Sequence, residues 1–282
     1  MSGSVSPAPS HAPGAPRSGK LGRYLILMRL FTGATLAAQM EYRANFVAAL
    51  LASVSQAGVA LLGLSVLFLQ PGTQSVGGWS FREALLVTGF FTLTEGFIGV
   101  FLQPNLSKIA EAVRTGSMDF TLLKPIDAQF SVSTRNLDVL RVPDFLIGLG
   151  LIVYAASGLS ITLGGVLGAA LLYVSALVMV YSLWLGLSTT AFWFVKTQNV
   201  TELFSGVFGA ARFPVTAFPA PVRLFLTFVL PMALITTIPA QALTGRLTPA
   251  LAVASPLVAL MLLAASRWLW LRAVGSYTSA SS

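Results

Sequence analysis

Long apolar runs, separated by short polar breaks, set the layout of this chain. Ala44 to Leu69 carries no charge and is long enough to cross about 30 Å of hydrocarbon. It ends at Gln70-Pro71-Gly72, a turn signal. A second span, about 84–103, is interrupted only by Glu95 and closes at Gln103-Pro104-Asn105. Phe145 to Val195 then runs 51 residues without a charge. That is too long for one helix, and residues 157–165 offer a turn, so spans of about 143–158 and 166–194 follow. Residues 197–212 form a short fifth segment after the polar break Lys196-Thr197-Gln198-Asn199, and 249–272 the last. The pattern predicts an all-α polytopic membrane protein with six transmembrane helices.

Two stretches depart from simple spans. Residues 20–40 alternate Leu21, Tyr24, Leu25 and Met28 with Lys20, Arg23 and Arg29. This spacing predicts an interfacial helix on the membrane surface. Residues 213–246 are cut by Pro214, Pro219, Pro221, Pro231 and Pro239. Backbone broken this way needs cover from protein or a wet cavity, so a re-entrant hairpin entering from outside is expected, with Pro214, Pro219, Pro231 and Pro239 as its joints. Residues 1–19, rich in Pro, Ser, Ala and Gly, are expected to be a disordered tail, leaving 20–282 as one transmembrane domain.

Charge orients the spans. With both termini inside, 13 of the 17 Lys and Arg fall on the cytoplasmic side. Only Arg82, Arg212, Arg223 and Arg246 fall outside. The same bias accounts for the net charge of +8 without nucleic acid. Composition then narrows the chemistry. Charged residues make up 9% of the 282, against about 25% in a soluble domain, and mean hydropathy is +0.81. There is no cysteine, and the one histidine, His11, lies in the tail. Thiol chemistry and most metal centres are excluded, as is most histidine catalysis.

A few residues stand out inside this frame. Glu95 is the only carboxylate well inside a span, with no basic residue expected at its depth. A structural role and a place on a polar conduit are both open to it. Asp138, Arg141 and Asp144 are spaced for an ion-pair cluster at the foot of the third span, with Pro143 in its first turn. Gly148, Gly150, Gly164, Gly165, Gly168 and Gly186 suit close helix packing. Trp268 and Trp270 suit the membrane interface.

The polar stretch 104–141 is the most patterned. Ile109, Val113, Phe120 and Leu123 alternate with Lys108, Glu111, Arg114, Asp119 and Lys124. A short amphipathic helix, a stop at Gly116, a new start at Asp119 and an end at Lys124-Pro125 are expected. A plain solvated loop would share the composition. The wording Arg114-x-Gly116-x-Met118-Asp119-Phe120-x-x-Leu123-Lys124-Pro125 resembles the cytoplasmic loop of a bacterial family of ABC transporter permeases in the type-2 exporter class. Arg212-Phe213-Pro214 through Phe218-Pro219, Leu230-Pro231, Ile238-Pro239-Ala240 and Gly245-Arg246 is similar to its proline-broken stretch. Gly275-Ser276-Tyr277-Thr278-Ser279 resembles its tail, although Thr278 stands where the family has an acid. Together these cover about 41–279.

The resemblance implies a coupling helix docking into a groove on a separate ABC ATP-binding subunit. The implied contact residues are Ile109, Glu111, Val113, Arg114, Gly116, Asp119, Phe120, Lys124 and Pro125. No Walker sequence is present, so ATP and Mg would bind the partner and no cofactor this chain. The resemblance further implies a second permease subunit, a homodimer or related partner, with an exporter pathway between the two in the bacterial cell membrane. A self-contained secondary transporter or channel is the alternative, though no repeat or buried acid cluster supports it. An intramembrane enzyme ranks below both.

Overall fold

A computed structural model describes residues 43–69, 74–194 and 208–277, together with Ile26, Leu27, Arg29, Gly33 and Gly206. Five of its helices are long and apolar enough to cross a membrane. They are α1 (Arg43–Phe68), α2 (Phe81–Arg114), α5 (Val142–Ala156, led in by a turn at Val139–Arg141), α6 (Leu163–Thr189) and α9 (Pro249–Ser276). Between α2 and α5 lie two short helices, α3 (Met118–Leu122) and α4 (Ala128–Thr134). The expected sixth span at 197–212 falls mostly outside the described residues, and its described end is a tight turn at Gly209–Arg212. The tail at 1–19 and most of the interfacial helix at 20–40 also lie outside them. Of the latter, Ile26, Leu27, Arg29 and Gly33 are helical.

Helix α2 is the axis of the bundle. Its most apolar stretch is 78% buried, against 17% for α1 and for α9. Helices apolar all round suit lipid on one side and protein on the other. At 34 residues α2 is roughly 50 Å long, well beyond the hydrocarbon thickness. This corrects the sequence expectation, which ended the span at Gln103-Pro104-Asn105 and began a separate loop. The reason is local. A wider turn over Ile98–Leu102 precedes the proline, in which the Gln103 N–H reaches back five residues to the Ile98 carbonyl. Pro104 has no N–H to give the Val100 carbonyl. The Asp138 N–H takes that carbonyl instead, at 3.0 Å. Asn105, buried, then pairs with Asn136: its Oδ1 accepts the Asn136 N–H at 2.8 Å, and its Nδ2 donates to the carbonyls of Asn136 and Phe101, both at 2.7 Å.

Helix α5 packs on α2 at backbone contact. A side chain at Gly96 would strike the backbone of Phe145, and one at Gly148 the backbone of Leu93. Gly89 meets Ile152 in the same way. Of the six glycines singled out from the sequence, Gly148 and Gly165 make such close approaches, while Gly150 and Gly186 face open space. Several hydroxyls in the spans return to carbonyls one turn back, as Thr94 to Phe90 at 2.8 Å and Ser182 to Val178 at 2.7 Å, which meets their bonds within the helix; the buried Ser255 hydroxyl of α9 has no such partner.

The proline-broken stretch forms two short pieces. The first, α7 (Ala220–Leu224), runs on through a wide turn at Phe225–Val229. After the break at Leu230-Pro231, a wide turn at Ala233–Thr237 leads into α8 (Ile238–Leu243). Only the second piece is buried, against α6, where Gly165 meets the carbonyls of Ala242 and Leu243. Residues 219–225 are exposed. A polar clasp ties both its ends to the start of α2. Arg246 pairs with Glu83 at 2.7 Å and donates to the Gly78 carbonyl at 2.6 Å. Trp79 Nε1 donates to Thr216 Oγ1 at 3.0 Å, and Thr216 donates to the Gly77 carbonyl at 2.8 Å. Gly77, at φ +59°, lies against the Thr216–Ala217 backbone, where no side chain would fit.

Replacing Gly148 with Leu should destabilise the protein by about 1–3 kcal/mol, because the obstructing atoms are backbone and cannot rotate away. Gly150→Leu, two positions along and open, should be nearly silent. Thermal unfolding in detergent separates the two, and equal effects would contradict the packing described.

Candidate functional site

The end of the bundle where α2 emerges carries Lys108, Glu111, Arg114, Asp119, Lys124 and Asp127, a density of charge that belongs in water. The expected coupling residues are all here, but they face different ways. Ile109 and Met118 are buried against the bundle, at 2% and 0% exposure. Val113 is half-buried. Gly116, at φ +73°, lets the chain leave α2 in the left-handed conformation. Ser117, rather than Asp119, precedes α3; Asp119 lies in its first turn, where the helix dipole favours an acid. Phe120 and Leu123, three apart, point outward at 73% and 81% exposure, flanked by exposed Lys124 and Pro125. Glu111 and Arg114 are exposed as well. The apolar pattern of the loop thus divides: one half anchors it and the other is presented.

The loop is bolted to the bundle from beneath. Asp127 caps α4, accepting the Phe130 N–H at 2.9 Å. The same carboxylate takes both arms of the Arg267 guanidinium from α9, at 2.8 and 3.3 Å. Arg267 also donates to Gln129 Oε1 at 2.7 Å, and Gln129 Nε2 donates to the Tyr181 hydroxyl of α6 at 2.9 Å. Burial would push the Asp127 carboxyl up; the bonds from Arg267 and Phe130, with the Arg267 charge, outweigh it and hold the group below the usual carboxylate range. The tail joins the same assembly. Trp270, expected at the interface, is 1% exposed and meets Phe192 edge-on at 5.8 Å, because α9 turns that face toward the end of α6. Tyr277 packs on the other side of Phe192, at 5.6 Å. Burial and the nearby Asp119 carboxylate push its phenol up.

A second polar group sits inside the bundle. Glu95 of α2 and Asp144 of α5 line a cavity of about 20 Å³, room for about one water, together with Ser53 and Gln56 of α1. Gln56 Nε2 donates to Glu95 Oε2 at 3.4 Å. Arg212 lines the same cavity, its guanidinium 5.2 Å from the centre of the Phe91 ring. This corrects the expectation that no base lies at the depth of Glu95. The tight turn at Gly209–Arg212 is drawn onto α2 by Phe208 against Phe91 at 5.4 Å and by Thr88 donating to the Arg212 carbonyl at 3.0 Å. Of the expected acid–base cluster, Arg141 pairs with Asp144 at 3.6 Å, while Asp138 accepts the Leu140 N–H at 3.0 Å.

Sequence reasoning passed over Asn105, Asn136, Asp127, Gln129, Tyr181 and Arg267. Asp127 ahead of an apolar-patterned turn is a capping signal that could have been read. The others depend on contacts between distant parts of the chain. Because folding lowers the Asp127 pKa, its ion pair stabilises the protein above the ordinary carboxylate range and is lost as pH falls through the folded pKa. Both partners are over a third exposed, so wild type should exceed Asp127→Asn by about 1 kcal/mol or less at neutral pH. That advantage should begin to fall as pH drops below ~4 and be gone once pH is below the folded pKa. Unfolding midpoints across pH check it, and an advantage unchanged in acid would contradict it.

Comparison with known proteins places this architecture. No curated protein matches the chain. The family model described as ABC-2 family transporter protein matches residues 54–281, from the middle of α1 past the end of α9. With a match over most of its length and five spanning helices, the chain belongs to the ABC-2 transporter family: it is a multi-pass membrane permease component of an ABC transporter.

Proposed function

We propose that the chain is the membrane half of an ATP-driven exporter in the bacterial cell membrane, coupled through α3 to a separate ATP-binding subunit that holds ATP and Mg. The observation that carries this reading is the presentation of Phe120 and Leu123 on a loop tied to the bundle through Asn105, Asp127 and Gln129. Two neighbouring apolar side chains in water, rimmed by Arg114, Asp119 and Lys124, have the make-up of a small docking site: an apolar centre within a charged rim. The fixings make the site mechanically useful. Asn105–Asn136, Asp127–Arg267 and Gln129–Tyr181 tie it to α2, α6 and α9 together. A push on α3 therefore moves helices as rigid bodies.

In this reading the loop is cytoplasmic, following the bias of Lys and Arg. Residues 197–212 supply the sixth crossing. The proline-broken stretch enters from the opposite side and closes the pathway there, with Pro214, Pro219, Pro231 and Pro239 at its joints. Two permease subunits, identical or related, enclose the route, and substrate passes by alternating access. Glu95 with Arg212, reached past exposed Gln56 of α1, supplies polar groups beside that route.

Purification of the tagged chain with its ATP-binding subunit tests the reading. Phe120→Asp with Leu123→Asp should abolish co-purification while leaving the permease folded, since both side chains are exposed. Single alanine changes at Arg114 or Asp119 should weaken the association more modestly, and Phe120→Ala by about 2 kcal/mol if it is a central anchor. Unchanged association in the double variant, or transport by the chain alone in liposomes driven by an ion gradient, would contradict the proposal.

A further inference from the structure

Between the last turns of α2, α3 and α4 lies a cavity of about 80 Å³, room for several waters or one tetrahedral oxyanion. Its polar lining comes from Lys108, Arg135, Thr121, Ser131 and the asparagine pair 105 and 136; no carboxylate lines it. Asn105 is saturated by the Phe101 carbonyl and by Asn136, whose Nδ2 donates to it at 3.3 Å. The rest are not. Neither Lys108 nor Arg135 takes part in an ion pair among the described residues, where the paired cations are Arg141, Arg246 and Arg267. Ser131 is 2% exposed. Its N–H goes to the Asp127 carbonyl, and its hydroxyl has no partner among the described residues. The neighbouring Thr134 does bond one turn back, to the Phe130 carbonyl. The Ser131 hydroxyl thus faces the cavity without a protein partner, beside two cations that no carboxylate neutralises. The same groups are well matched to an anion with several acceptor oxygens.

We propose that this cavity binds a phosphate group. The Arg135 fork and the Lys108 ammonium would hold its oxygens, and the Ser131 hydroxyl would donate from the buried wall. The bound group would bridge α2 and α4 and stiffen the loop from within. The proposal stands apart from the exporter reading, because it rests on the lining alone. The phosphate could be free in solution or carried on an acidic phospholipid.

The full chain in phosphatidylcholine nanodiscs, unfolded by heat with inorganic phosphate or with chloride at matched ionic strength, tests the site. Free phosphate as ligand should raise the midpoint saturably by about 2–4 °C. If the lipid headgroup is the source, nanodiscs containing phosphatidic acid should give that protection without added phosphate. Either gain should be lost in the Lys108→Gln/Arg135→Gln double variant, whose changes lie on exposed side chains, and reduced in Ser131→Ala. No gain from either source, or an equal gain in the double variant, would overturn the proposal.

Discussion

The Val100 carbonyl sits where a helix should end. Residue 104 is proline, so the donor one turn ahead does not exist, and in a bilayer an unmet carbonyl costs several kcal/mol. The chain meets this by bringing the Asp138 N–H to that oxygen and seating Asn105 against Asn136 one residue further on. Two consequences follow. Helix α2 passes through its proline and carries the fold's central axis into the polar loop. The far end of that loop, at 136–138, is held against the same helix at Val100 and Asn105, while the chain leaves the helix further on, at Gly116.

The two ends of the bundle are fastened by different chemistry. At one, Arg246 and Thr216 fix both ends of the proline-broken stretch to residues 77–83. At the other, α4 sits between Tyr181 and Arg267. Helix α2 runs from one fastening to the other. Displacement of the loop would therefore be transmitted along α2 toward the clasp, and past the cavity where Glu95, Asp144 and Arg212 meet. The glycine contacts with α5 bring that helix along, since backbones in direct contact leave little room for sliding.

Much of this was legible in the apolar pattern. The spans at 44–69, 143–158, 166–194 and 249–272 differ from the described helices by a few residues at their ends, because twenty uncharged residues leave little choice in a membrane. The turn at Gly116 was legible too, since only its conformation suits a helix stop there. What misled was local grammar. Gln103-Pro104-Asn105 reads as a terminator, and its rescue comes from Asp138 and Asn136, over thirty residues away. Arg212 was placed beyond the end of a span by the order of crossings; Phe208, Phe91 and Thr88 bring it to the cavity that holds Glu95. Ile109 and Phe120 share one amphipathic pattern, yet one anchors and one projects, because the chain reverses between them at Gly116. Trp270 looked like an interface residue, but it is buried against Phe192, which Tyr277 packs on in turn.

Everything said of the loop depends on α2 being one rod from the clasp to Arg114. The protein has no cysteine, so spin labels at Phe81→Cys and Glu111→Cys, thirty positions apart, report on it alone. The distance between them in nanodiscs should be single and narrow, at about 45 Å, the rise of thirty helical residues. A broad distribution, or one centred well short of that value, would mean that the helix ends at Pro104 and that the loop hangs free.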